Sequence, residues 1–127
     1  MLGYSLPKPG FYGISALMKQ YVIDELRFAD YEKIKPYLDD KLGAAGIGNI
    51  YWIEVEDHLL TPLQQSHNAC RPFFFGLELE PDRLCCELLV RSRSQVRCDC
   101  FGYATKEQFS WLVDTIDAML ASLEIQI

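Results

Sequence analysis

The chain has 127 residues, half of them hydrophobic and 24% charged, which fits one globular domain and excludes a disordered or low-complexity protein. Eighteen acids against twelve bases leave a net charge of −6 and a sequence pI near 4.8, which weighs against nucleic acid or an anionic membrane surface as the main partner. No run approaches the ~20 consecutive apolar residues that a membrane-spanning helix needs, so no membrane partner is expected.

Residues 1–17 carry Lys8 as their only charged side chain, and Pro7, Pro9, Gly10 and Gly13 interrupt both helix and strand periods. They lack the basic stretch and unbroken apolar run of a signal peptide. They read either as a short arm whose Tyr4, Phe11 and Tyr12 dock elsewhere, or as an extension ahead of a start at Met18. Residues 18–127 read as a single domain.

A first strand is expected over 19–26, from the β-formers Tyr21, Val22 and Ile23. A helix follows from about Asp30, with Tyr31, Ile34, Leu38 and Leu42 on one face, Pro36 on the other and Gly43 as the stop. The glycine-rich stretch 43–49 joins a helix end to a strand and has no following Lys-Ser/Thr. It therefore reads as a connector and not as a phosphate cradle. A strand at 50–55 and a short helix at 59–68 come next. Three strands at 73–80, 84–91 and 96–101 then form a meander. Thr105 and Gln108 make a capping box for a closing helix with the stripe Phe109, Leu112, Val113, Ile116, Met119, Leu120 and Leu123.

The order β-α-β-α-β-β-β-α implies an α+β fold: a mostly antiparallel sheet of about five strands, with helices mainly on one face. Only the first β-α-β unit is open to parallel pairing.

Five cysteines, an odd number, favour free thiols in a reducing compartment, and hence a cytoplasmic location. Cys86, Cys98, Cys100, His67 and Cys70 are the candidate soft ligands for a tetrahedral zinc ion. C-x-C lacks the more specific C-x₂-C spacing, and cysteines alternating with Leu and Val also suit a packed interior, which is the preferred reading. No cofactor is expected. Cys70 with His67 as its base is a candidate nucleophile pair. Arg91, Arg93 and Arg97 form a candidate anion site, weighed against a charged hairpin tip. Glu78, Glu87 and Asp99 share a face with Arg91 and Arg97, and cross-strand ion pairs account for all five.

Trp111 falls off the closing helix's core stripe, and Phe74, Leu89 and Phe101 fall on the nominally outward sheet face. Large apolar groups out of pattern suggest a covered surface. The leading expectation is a non-enzymatic protein that binds another protein or pairs as a homodimer. The alternative is a small ligand- or metal-binding domain or enzyme, with its site near His67, Cys70 and the meander strand ends.

Overall fold

Among the described residues every strand pair is antiparallel, and the sheet is built on one long central strand. The computed structural model describes residues 19–126, so the arm expected at 1–17 lies outside the described residues. The strands are β1 (Gln20–Ile23), β2 (Ile50–Glu54), β3 (Phe73–Glu80), β4 (Arg83–Glu87), β5 (Leu89–Ser92) and β6 (Gly102–Tyr103). The α-helices are α1 (Phe28–Leu42), α2 (Pro62–Ser66) and α3 (Lys106–Ser122). The α+β class and the largely antiparallel sheet are as the sequence implies. No parallel pair forms between β1 and β2, which lie at opposite edges: β1 pairs β4 and β2 pairs β3.

Period-two alternation fixes the two faces of the sheet. Phe73, Phe75, Leu77 and Leu79 of β3 are buried, with Tyr51 and Ile53 beside them and Leu84, Cys86, Leu88 and Val90 opposite. The helices pack on this face. Tyr51 Oη donates to Asp39 of α1 at 2.6 Å, and Phe75 stacks on Trp111 of α3 with ring centroids 6.3 Å apart. No helix covers the other face among the described residues.

The expected strand 84–91 is interrupted at Leu88. Leu77 pairs Cys86 while Phe74 pairs Arg91, so four residues of β4–β5 stand opposite two of β3. Inserting two extra residues, and not one, keeps the alternation in phase. Cys86, Leu88 and Val90 therefore stay on the same buried side.

The strand expected over 96–101 does not form, and only Gly102–Tyr103 pairs with β5. Residues 93–101 are a loop in which Val96 is 95% exposed and the Phe101 N–H donates to the Cys98 carbonyl at 3.1 Å. Alternating Val96, Cys98 and Cys100 imitated a strand face. The short helix expected at 59–68 is three pieces: 3₁₀ turns at Asp57–Leu59 and Asn68–Cys70, with α2 between them. Pro62 at the first helical position starts α2. Helix α1 begins earlier than expected, at Phe28. Asp30 is its third residue and accepts from the Arg27 N–H at 3.0 Å.

Two residues expected to face outward lie against the core, each for its own reason. Trp111 packs on the core through Phe75, because the buried stripe of α3 is wider than apolar residues alone suggest: Gln108 belongs to it at 0% exposure. Phe101, freed from any strand, turns its ring edge-on to buried Phe73 at 6.5 Å. Phe74 and Leu89 remain on the open face, half-buried.

Gln108 and Gln64 hold matching positions, third in their helices, and each closes a capping box with its threonine. Each side-chain oxygen accepts from a threonine N–H, Thr105 at 3.0 Å and Thr61 at 2.9 Å. Gln108 Nε2 then donates to Gln64 Oε1 at 3.0 Å and to the Leu59 carbonyl at 2.9 Å. Gln108→Ala is expected to lower the unfolding free energy by about 2–3 kcal/mol, since it orphans buried partners at roughly 1–3 kcal/mol each. Urea unfolding checks this, and a loss below about 0.5 kcal/mol contradicts it.

Candidate metal centre

His67 follows the last residue of α2 and precedes the 3₁₀ turn Asn68–Cys70. The Cys70 N–H donates to the His67 carbonyl at 3.0 Å, and this turn sets residues three apart on one side. The H-x-x-C spacing thereby becomes two ligands facing the same way. Cys98 and Cys100 come from the loop 93–101, where the bend closed by Phe101 N–H brings both thiols inward. Gln64 Nε2 donates to the Cys100 carbonyl at 3.4 Å, and Ser94 Oγ to the Ala69 carbonyl at 3.4 Å. These bonds dock the loop on the segment that carries His67 and Cys70.

One ligand atom each from His67, Cys70, Cys98 and Cys100 lies within 4.8 Å of every other. A tetrahedral zinc ion with ordinary Zn–S and Zn–N bonds spaces its ligand atoms roughly 3.4–3.8 Å apart. The His67 Nδ1–Cys98 Sγ separation is already 3.2 Å. Cys70 and Cys100 are buried, while His67 and Cys98 are half-buried.

The thiols differ in acidity for identifiable reasons. The Cys100 backbone N–H, then the Cys100 side chain, and further His67 and Cys70, lower the Cys98 thiol to about 7. Burial pushes Cys100 up to about 12, helped by hydrogen bonds to Cys98 and Cys70. Burial also raises Cys70. One thiolate among protonated neighbours is what crowding allows without a cation, since thiolates this close repel. A divalent ion reverses that balance by deprotonating the thiols that bind it.

Of the five ligands considered from sequence, the structure gathers four and excludes Cys86. That residue is 0% exposed on the core face of β4, opposite Leu77 and Tyr21. Cys85 faces the other way. The anion candidates divide too: Arg91 and Arg93 converge on the Trp52 ring at 5.4 and 5.3 Å, while Arg97 is exposed in the loop. The expected cross-strand ion-pair lattice reduces to Glu87–Arg91, 3.2 Å apart along one run of chain, with Asp99 and Arg97 carried off by the loop.

Trp52 escaped the sequence reading. Its ring lies over Gly76, where a Cβ would stand 3.3 Å from it. A lone glycine inside a strand pattern was the available signal for such a close approach.

Among the described residues, concavities also lie away from the centre. One, of about 330 Å³, is lined by Lys19, Leu88, Tyr103, Thr105, Lys106 and Phe109. Another, of about 110 Å³, lies on the open face and includes Trp52, Glu78, Cys85, Glu87 and Arg91 in its lining. Among the described residues no helix is long and apolar enough to cross a membrane. No protein-family model, curated protein or solved structure matches the chain.

In folded, metal-free protein Cys98 is expected to be the first of the five thiols alkylated by iodoacetamide, and Cys86 the last. Because the Cys98 value is lowered, its thiolate, and so its alkylation rate, rises through a midpoint near pH 7. Peptide mass mapping after brief labelling checks this. Uniform labelling, or a midpoint at the ordinary thiol value of about 8.5, contradicts it.

Proposed function

We propose that this chain is a non-enzymatic binding domain clamped by a structural zinc ion on His67, Cys70, Cys98 and Cys100. The observation that carries the reading is the convergence of one imidazole and three thiols from two separate segments, all within 4.8 Å. Soft sulfur and imidazole donors in a compact four-atom set suit zinc. Four protein ligands also complete its coordination, whereas a catalytic zinc keeps a position open for water or substrate. The zinc would tie the loop 93–101 to the 67–70 turn, a covering role rather than a chemical one. Thiols that must stay reduced to bind favour a cytoplasmic setting.

A second reading has its own support. The 3.2 Å approach of His67 Nδ1 to Cys98, with the lowered Cys98 thiol, suits a nucleophile and its base.

Protein prepared without chelator is expected to carry one zinc per chain by elemental analysis. Cys100→Ser and His67→Ala should lose most of it, and Cys86→Ser none. Cobalt substitution should give thiolate-to-metal charge-transfer absorption and the visible bands of a tetrahedral ion. Substoichiometric zinc, together with a Cys98 that stays open to alkylation, would overturn the zinc reading in favour of the nucleophile.

A further inference from the structure

We propose that Cys98 and Cys70 are a peroxide-sensitive pair, which closes to a disulfide, expels the zinc ion and keeps the loop 93–101 docked. The inference names how the metal centre is regulated, and it rests on the zinc reading above for the ion that it releases.

The five thiols differ first in access. Cys70, Cys85, Cys86 and Cys100 are buried, whereas Cys98 is half-buried. Its neighbours Arg97 and Asp99 are exposed, so a molecule as small as hydrogen peroxide meets the Cys98 sulfur before the others. An oxidised thiol goes on to a disulfide where a second thiol stands beside it. Two such thiols are present. The sulfurs of Cys70 and Cys100 lie within 4.8 Å of that of Cys98, and both side chains hydrogen bond to it.

Chain connectivity chooses between them. Cys98 and Cys100 share one turn, closed by the Phe101 N–H on the Cys98 carbonyl at 3.1 Å. The Cys100 backbone N–H also bonds the Cys98 sulfur. A bridge between residues two apart would have to fit its fixed length and near-perpendicular dihedral inside that turn, at the expense of both bonds. Cys70 instead ends the separate 3₁₀ turn Asn68–Cys70. The bonds between its segment and the loop are long, at 3.4 Å through Gln64 and Ser94, so the two can close without breaking a short one.

The Cys98 thiolate attacks one peroxide oxygen, the O–O bond breaks, and hydroxide leaves. The Cys70 thiolate then attacks the sulfur of the resulting sulfenic acid, and the S–S bond forms as the S–O bond breaks. Each departing hydroxide takes a proton from solvent. Two thiolates, one peroxide and two protons thus give one disulfide and two waters, each sulfur losing one electron. Zinc, left with His67 and Cys100, loses half of its ligands and leaves as the aqueous ion. The bridge joins the same two segments that the ion joined, so the loop keeps its place.

Full-length chain, purified without chelator and freed of reductant, is treated with one equivalent of hydrogen peroxide beside a chromophoric zinc chelator, with a peroxide-free control. About one zinc should be released per peroxide consumed, and dithiothreitol with added zinc should restore the starting form. Non-reducing peptide mapping should find Cys70 joined to Cys98, with Cys86 oxidised at least about tenfold more slowly. In metal-free protein, Cys100→Ser should still form the bridge, whereas Cys70→Ser should leave a Cys98 sulfenic acid that dimedone traps. Far-UV circular dichroism checks the fold of each variant, and where one is unfolded the wild-type map decides by itself. A Cys98–Cys100 bridge, sulfinic acid at Cys98 without a bridge, or zinc retained after the bridge has formed would each overturn the proposal. Failure of the zinc reading shows separately, as protein without zinc before peroxide is added. The map then still decides the thiol pair.

Discussion

The hydrogen bond between the buried side chains of Gln64 and Gln108 is the constraint on which the placement of the site depends. Both residues are nearly inaccessible, at 3% and 0% exposure, so every polar atom they carry has to be matched inside the protein. Gln108 spends its oxygen on the first turn of α3 and both its amide hydrogens on Leu59 and Gln64. Gln64 spends its oxygen on the first turn of α2 and on Gln108, which leaves its own amide for the Cys100 carbonyl. Two helix starts, a 3₁₀ turn and the cysteine loop thus meet at one point. Displacing any of them leaves an unmatched group in a low-dielectric interior, where the penalty is high. His67 lies three residues beyond Gln64, so the same junction that fixes Cys100 also fixes the imidazole.

The second constraint is parity in the sheet. A single extra residue between β4 and β5 would have turned Val90 outward and Arg91 inward. Two extra residues bend the strand yet preserve its faces, and they also split its outer edge. β1 pairs along β4 and β6 along β5, and Leu88 bridges the two by donating to the Lys19 carbonyl and accepting from Ala104 N–H. The same parity keeps Arg91 on the open face beside Trp52, where the guanidinium meets an aromatic ring instead of the core.

Much of this was legible in the residues. The closing helix, its capping box, the central strand and the sheet's buried face follow from periodicity, which reports burial directly. The site was half legible: its ligand types were visible, but not the choice among them. Cys86 and Cys98 have the same alternating neighbourhood in sequence, and only tertiary contacts separate a thiol in a paired strand from one in a loop. Period-two alternation cannot tell a strand from a loop that points two cysteines at a common centre. Thr61 and Gln64 repeat the capping pattern of Thr105 and Gln108, a signal for the start of α2 at Pro62 that the expected span of 59–68 passed over. Their partnership across 44 residues was not, because a local motif carries no record of a distant one.

The loop 93–101 connects these levels. Ordering a residue's backbone costs about 1–2 kcal/mol, so fixing this stretch costs on the order of 10 kcal/mol. It buries little in return: Cys100 is covered, Cys98 and Phe101 are half-covered, and the residues from 93 to 97 are exposed. Its hydrogen bonds to α2 and the turn that follows, at 3.4 Å through Gln64 and Ser94, are long ones, and the shorter bonds of Ser94 to Ser92 of β5, at 2.7 and 2.9 Å, hold only its first residues. Structural zinc in small domains contributes about 10–16 kcal/mol, a magnitude that matches the deficit. The proposed ion would therefore stand where the sheet ends and apolar burial stops. The loop that begins with Arg93, set against Trp52 and Phe74, ends at the cysteines. Fixing one end would limit the motion of the other, so that the proposed ion would be tied to the edge of the open face through the backbone alone.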